Sequence, residues 1–280
     1  LVRLLRGDDG EHAVLHELGG IGPNLLLTHG NGLNTGMWAA TIPYLLPHFC
    51  CYGLDFRGHG RSTVQSHPLN VERSFFVDEV HMAVKALGGG PIHAVGHSLG
   101  GATLLKAEID RPNTFSNLWL FEPVLVPPGR PRLDENHPLI LASRRRKTEF
   151  KSTEEIVSRL MTKLPFSQCE KLTVESYIDF GTVTTQDGVR LSCSGDTEAN
   201  IFMSGTPTDF RTLETVNSRT VVARGEKIAN GNEIPPAMAE PIAKALAHAS
   251  LLPMHDLTHF GPLENGKRVA EAILKHFVHA

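Results

Sequence analysis

Ser98 stands in Gly96-His97-Ser98-Leu99-Gly100, a serine flanked by small residues. A serine hydroxyl is a poor nucleophile until a base takes its proton, and an imidazole suits that task near neutral pH. The apolar run Ile92-His93-Ala94-Val95 precedes the motif, and a helical pattern over residues 99–110 follows it. G-x-S-x-G between a strand and a helix marks a sharp turn that exposes the hydroxyl at the strand end. The turn also sets backbone N–H groups at a helix N-terminus, where a developing oxyanion is stabilised. A plain small-residue turn would not require a strand before it and a helix after it.

His29-Gly30-Asn31-Gly32 closes an earlier apolar run, and its glycines let the backbone fold close to a ligand. The N–H of Asn31 is expected to join that of Leu99 in an oxyanion hole, with Gly32 beside the substrate. Alone, the segment reads equally well as an ordinary strand-to-helix loop. His259 sits in Asp256-Leu257-Thr258-His259-Phe260-Gly261-Pro262-Leu263-Glu264, after the last apolar run and before the last helix. The chain holds 15 histidines, and most, such as His12, His248 and His279, read as surface residues. The chain order Ser, acid, His selects His259 as the base. His255, the nearest rival, lies before the turn.

These residues need a scaffold of strand ends. Short apolar runs at residues 25–28, 50–56, 92–95, 118–121, 221–223 and 251–254 alternate with helical patterns near 36–46, 71–87, 99–110, 236–248 and 263–278. Such alternation predicts βαβ units and a mostly parallel sheet covered on both faces. Residues 1–18 are expected to form an antiparallel hairpin at one edge. The alternation breaks after Pro127-Pro128-Gly129-Arg130-Pro131. Helical patterns near 136–149, 153–164 and 169–179 follow, then a hairpin over 182–193 with Asp187-Gly188 at its turn. Residues 127–215 therefore read as a mainly helical cap inserted into a core made of residues 1–126 and 216–280.

Composition excludes several function classes. The chain has 280 residues, 41% hydrophobic and 20% charged, with a net charge of -3. That balance gives no general pull toward nucleic acid or an acidic membrane surface. No apolar run approaches the roughly 20 residues of a membrane span. The four cysteines, Cys50, Cys51, Cys169 and Cys193, form neither a disulfide framework nor a paired metal-ligand spacing. Reduced thiols in a cytoplasmic monomer or homodimer without metal or cofactor are the expectation. Leu1-Val2-Arg3-Leu4-Leu5 is too short for a signal-peptide core, although the missing initiator Met is compatible with a trimmed terminus.

Taken together, His29-Gly30-Asn31-Gly32, Asp55-Phe56-Arg57-Gly58-His59-Gly60-Arg61-Ser62, the Ser98 turn and His259-Phe260-Gly261-Pro262-Leu263-Glu264 resemble the α/β-hydrolase superfamily over nearly the full length. The resemblance implies an eight-stranded, mostly parallel sheet flanked by helices. It gives residues 55–62 a structural role. Most members place the acid in a Gly-Glu-x-Asp-like turn, but this chain reads Gly225-Glu226-Lys227-Ile228. Isoleucine cannot orient an imidazole. Haloalkane dehalogenase-like and zearalenone lactonase-like members carry the acid after the preceding strand, where this chain has Glu122 in Leu120-Phe121-Glu122-Pro123. Glu122 is the expected acid, ahead of Glu226 and then Asp256. A glutamate closing an apolar strand also needs a partner to offset its burial.

Members that open epoxides or remove halide use an Asp nucleophile, so Ser98 points to acyl transfer instead. The expected function is cleavage of a small, largely apolar carboxylic ester or lactone through an acyl-enzyme on Ser98. Alternatives on the same residues are a C–C bond hydrolase, a thioesterase, an acyltransferase, or a receptor-like binder with little turnover. Leu160, Leu164, Phe166, Tyr177, Ile178 and Phe180 are expected to line a pocket above Met37 and Trp38, unless they merely pack the cap. Arg144-Arg145-Arg146-Lys147 reads as a solvated helix face.

Overall fold

Successive residues of a strand point to opposite faces, and the apolar runs are apolar on both. Leu26, Ala94, Leu118, Leu120 and Val222 pack into one core, while Leu25, Leu27, Val95, Trp119, Phe121, Val221 and Ala223 pack into the other. Each fully buried leucine contributes roughly 1.5–3 kcal/mol relative to exposure. A sheet with two such faces must be covered twice, and helices do so on both sides.

A computed structural model describes residues 1–62, 70–227 and 234–278. In chain order it runs β1 (Val2–Arg6), β2 (His12–Gly19), β3 (Asn24–Thr28), α1 (Ile42–Leu45), β4 (Cys50–Asp55) and α2 (Arg73–Ala86). Next come β5 (Ile92–His97), α3 (Leu99–Asp110) and β6 (Phe115–Phe121). The segment after β6 holds α4 (Pro138–Arg144), β7 (Glu149–Phe150), α5 (Thr153–Leu160), α6 (Lys171–Phe180), β8 (Thr182–Thr185), β9 (Gly188–Leu191) and α7 (Gly195–Met203). The chain closes with β10 (Arg219–Gly225), α8 (Ile234–Ala245), β11 (Ala249–Met254), α9 (Gly261–Glu264) and α10 (Gly266–Phe277).

The main sheet has eight strands in the order β1-β2-β4-β3-β5-β6-β10-β11. The β1–β2 and β2–β4 pairs are antiparallel, and the pairs from β4 to β11 are parallel. The N-terminal hairpin therefore sits at an edge, as expected for residues 1–18. Helices α2, α3 and α8 cover one face, and α1, α10 and α6 meet the other. The inserted segment has its own small sheet, β7-β9-β8. Its ends come together where Val126 bridges Pro207.

Two expected helices are split, and one helix was not expected. The helix expected over 36–46 splits into a 3-10 turn, Thr35–Trp38, and α1, because Asn34 caps the first and Pro43 opens the second. The pattern over 263–278 splits into α9 and α10 at Asn265, whose extended backbone and side chain cap α10. Helix α7 escaped the periodicity, although Ser194 as N-cap with Asp196 and Glu198 in the first turn is a start signal. Ile228 and His279 lie outside the described residues.

Residues 55–62 are held by structural contacts. Asp55 accepts hydrogen bonds from the backbone N–H groups of Thr35 (2.8 Å) and Arg61 (2.9 Å) and lies 2.7 Å from His16 Nε2. Arg57 forms ion pairs with Glu79 (2.5 Å) and Asp9 (2.6 Å).

The β5–α3 turn depends on close backbone approach. A Cβ on Gly96 would lie 2.7 Å from both the Cα and the N of Gly101. Backbone atoms cannot swing aside, so Gly96→Ala should lower stability by about 1–3 kcal/mol, the usual penalty for overpacking. Urea denaturation checks this; an unchanged midpoint would refute the close-approach account.

Candidate active site

Ser98 occupies the turn between β5 and α3 with φ 51° and ψ -113°. A serine with positive φ is strained, at a cost of order 1–3 kcal/mol, and persists only where surrounding contacts impose it. Those contacts are visible. Ser98 N–H donates to Phe121 O (3.0 Å), and Gly100 N–H donates to His29 O (3.0 Å). Ser98 itself is half-buried.

Glu122 follows β6 and also has positive φ, 44°. It is fully buried. Its N–H donates to Ala223 O (2.9 Å), pinning it to β10. One carboxylate oxygen accepts the Gly225 N–H at 2.8 Å, and the other lies 2.6 Å from His259 Nδ1. The rivals are elsewhere. Glu226 is paired with Arg224 and His255, and Asp256 faces Arg268 at 3.9 Å.

His259 is half-buried on the loop between β11 and α9. His97, the variable residue of the serine motif, reaches across to it. His97 Nε2 is 2.8 Å from His259 O, and the two rings are 4.6 Å apart. Burial holds the His97 imidazole well below its usual range, so it stays neutral and donates from Nε2 to that carbonyl. Sequence reasoning gave His97 no task; only its place in the motif hinted at one.

The loop 29–32 abuts Ser98. A Cβ on Gly30 would lie 3.4 Å from Ser98 Cβ. Among the described residues the Asn31 N–H has no acceptor, whereas the Gly32 N–H is committed to His59 Nε2 at 3.0 Å. Leu99 opens α3, where an N–H lies beyond the intrahelical ladder. Gly32 itself is buried, with both backbone polar groups hydrogen-bonded inside the protein. Met37 and Trp38 are fully buried in the core rather than presented to a ligand, because the 3-10 turn drives them inward.

Of the apolar residues expected above the site, Phe166 reaches His259 through Phe260. Its ring is 5.8 Å from Phe260, which is 5.9 Å from the His259 ring. Tyr177 and Ile178 are buried, Leu160 packs on the core, Leu164 is exposed, and Phe180 packs on His16 at 5.0 Å. Arg146 is not a solvated residue of a helix face: it holds Glu198 at 3.1 Å. A cleft of about 340 Å³ between α5 and α6 includes none of Ser98, His259 and Glu122.

Burial pushes Glu122 up to about 8, against the Gly225 N–H and the Arg224 charge, which favour ionisation. Burial likewise pushes His259 down to about 4. Exclusion of water therefore opposes charge on either group, and the hydrogen bond between them offsets part of that cost. With its Nδ1–H on the carboxylate, the imidazole keeps Nε2 free to accept a proton.

The chain belongs to the alpha/beta hydrolase fold family, whose model matches residues 23–233. It is 32% identical over 94 residues to (E)-2-((N-methylformamido)methylene)succinate hydrolase of Acinetobacter baylyi, covering 34% of this chain and 35% of that protein. It is 32% identical over 114 residues to a fluoroacetate dehalogenase of a Burkholderia species, covering 40% of this chain and 38% of that protein. The matched stretches thus span little more than a third of each relative. Among solved structures, the thioesterase domain from the curacin biosynthetic pathway superposes with a TM-score of 0.78 at 18% identity, covering 98% of this chain and 99% of that one. No helix among the described residues is long and apolar enough to cross a membrane.

The Glu122–His259 pair generates a pH prediction. Only its one-proton state, with the proton on Nδ1, leaves Nε2 bare. Burial holds the carboxyl proton up to about 8, so that state fills as pH rises. The kcat/KM of an ester substrate should therefore climb through neutrality toward alkaline pH. In Glu122→Gln the imidazole titrates without the carboxylate, so the limb should move to acid pH while the rate falls by about 10³–10⁴-fold. A limb that stays in place between about pH 4 and about pH 10 would sink the pairing.

Proposed function

We propose that this protein is a serine hydrolase of carboxylic esters or lactones, using Ser98 as nucleophile, His259 as general base and acid, and Glu122 as the orienting acid. The observation that carries this reading is the 2.6 Å contact between Glu122 and His259 Nδ1, made beside the strained Ser98 turn. His259 takes the Ser98 proton through Nε2, and Glu122 stabilises the imidazolium that forms. The oxygen of the attacked carbonyl gathers negative charge and is met by the N–H groups of Asn31 and Leu99. His259 then protonates the leaving group and activates the water that releases the acid.

The inserted residues 127–215 act as a cap, and Phe166 and Phe260 give the base an apolar flank suited to a small, largely apolar acyl group. No cofactor is required by this cycle. The relatives' names cover hydrolysis of a succinate derivative, dehalogenation and thioester cleavage, so none supplies the substrate. A serine rather than an aspartate at the elbow favours acyl transfer over dehalogenation.

A nitrophenyl ester series of increasing acyl length tests the reading. Sustained turnover is expected, and Ser98→Ala should reduce it by at least about 10³-fold. Glu226→Gln should leave turnover within about twofold, since its exposed pairing contributes little. A single slow covalent event without turnover would instead indicate a ligand-binding protein on this fold. Full activity in Glu122→Gln would remove Glu122 from the mechanism.

A further inference from the structure

We propose that Tyr177 and His59 are positioning residues that grip Gly32 from opposite sides and so hold the Asn31 N–H in place beside Ser98. The proposal rests on the serine-hydrolase reading and extends it to residues outside the triad.

Asn31 and Gly32 are the central residues of a turn closed by the Leu33 N–H, which donates to Gly30 O at 3.1 Å. Gly32 has φ +76°, which glycine adopts without strain, and the closing bond leaves the Asn31–Gly32 peptide plane to be fixed by tertiary contacts. Two contacts fall on its own backbone. The Gly32 N–H donates to His59 Nε2 at 3.0 Å, and the Gly32 carbonyl accepts the Tyr177 hydroxyl at 2.9 Å. The first comes from the core loop after β4, the second from α6 in the inserted segment.

The donor and acceptor roles follow from the chemistry. A backbone N–H can only donate, so His59 Nε2 is the bare nitrogen. Its Nδ1–H then donates to Arg57 O at 3.0 Å. Burial pushes His59 down to about 3, which keeps the ring neutral and Nε2 an acceptor. Burial pushes Tyr177 up to about 12, which keeps its hydroxyl a donor. The grip therefore persists across the pH range in which the base works.

The inserted segment adds a third contact. Asn31 Nδ2 donates to Glu198 O at 3.0 Å, and the Glu198 carboxylate is held by Arg146 at 3.1 Å. Tyr177 is tied down in turn, because its carbonyl accepts from Asn34 Nδ2 at 2.9 Å. With the Gly32 N–H committed to His59, the Asn31 N–H has no acceptor among the described residues. The oxyanion site is thus built by the inserted segment as much as by the core.

Removing the Tyr177 hydroxyl leaves the Gly32 carbonyl unpaired in a buried setting and the turn held by the Leu33 N–H and His59 alone, so that it shifts. A donor displaced by even 1 Å costs up to about 10²-fold in rate. The probe is a fluorophosphonate, whose phosphoryl oxygen gathers negative charge in the oxyanion site as the serine displaces fluoride, and it needs no knowledge of the substrate. Labelling of Ser98 is followed by intact mass, separating the maximal labelling rate from the half-saturating concentration. Tyr177→Phe should lower the maximal rate by about 10- to 100-fold with the half-saturating concentration within about twofold.

An unchanged maximal rate, with or without a lower thermal midpoint, would overturn the proposal and leave Tyr177 as packing only. A changed half-saturating concentration alone would also overturn it, because Tyr177 would then be touching the probe. If Tyr177→Phe does not fold, His59→Gln reads the same loop from the core side with the same expected split. Ser98→Ala is the control for the underlying reading. Labelling that survives Ser98→Ala would show a different nucleophile and remove both claims. Labelling abolished by Ser98→Ala but unaffected by Tyr177→Phe would remove only this one.

Discussion

A carboxylate completely withdrawn from water must find hydrogen-bond partners or surrender its charge, and Glu122 imposes that constraint on the rest of the site. It finds His259 Nδ1 and the Gly225 N–H. Meeting both demands that β6, β10 and the loop after β11 end at one point. The parallel register of β6, β10 and β11 delivers that convergence. The chain accepts a left-handed backbone at Glu122 to complete it. A carboxylate standing after β10 would approach the imidazole from the other strand end.

The same economy of strain appears at Ser98. Besides Asn113, whose residue type tolerates left-handed backbone, Ser98 and Glu122 are the non-glycine residues with positive φ among those described. Both stand at the ends of neighbouring strands, β5 and β6, and the Ser98 N–H bonds to the carbonyl just before Glu122. The two strained turns are therefore braced against each other. The two apolar cores, one on each face of the sheet, supply the rigidity that keeps them so.

The segment between β6 and β10 and the sheet that carries it are not separable parts in this molecule. Tyr177 and Glu198 reach down to the loop that carries Asn31, and His59 meets it from below. His97 ties the serine turn to the backbone of His259. Each residue bridges segments far apart in the chain, so the geometry around Ser98 is a property of the assembled fold. Changes in the inserted segment can reach the chemistry without touching a substrate.

Much of this was legible in the residues alone. The alternation of apolar runs with helical patterns specified a parallel sheet, because period-2 and period-3.6 burial are local signals. Ser98, His259 and Glu122 could be singled out because small residues, strand ends and chain order constrain them locally. The tertiary structure decided the rest. Met37 and Trp38 looked available to a ligand, yet a capped 3-10 turn rotates them into the core. Arg146 looked like part of a solvated charge run, yet it pairs with a glutamate of α7. Glu226 and Glu122 were rival acids in the sequence, and only the convergence of strand ends brings one of them within 2.6 Å of His259. Local pattern can identify a strand or a strained turn, but which side chains meet depends on contacts between residues distant in the chain, and those exist only once the chain has folded.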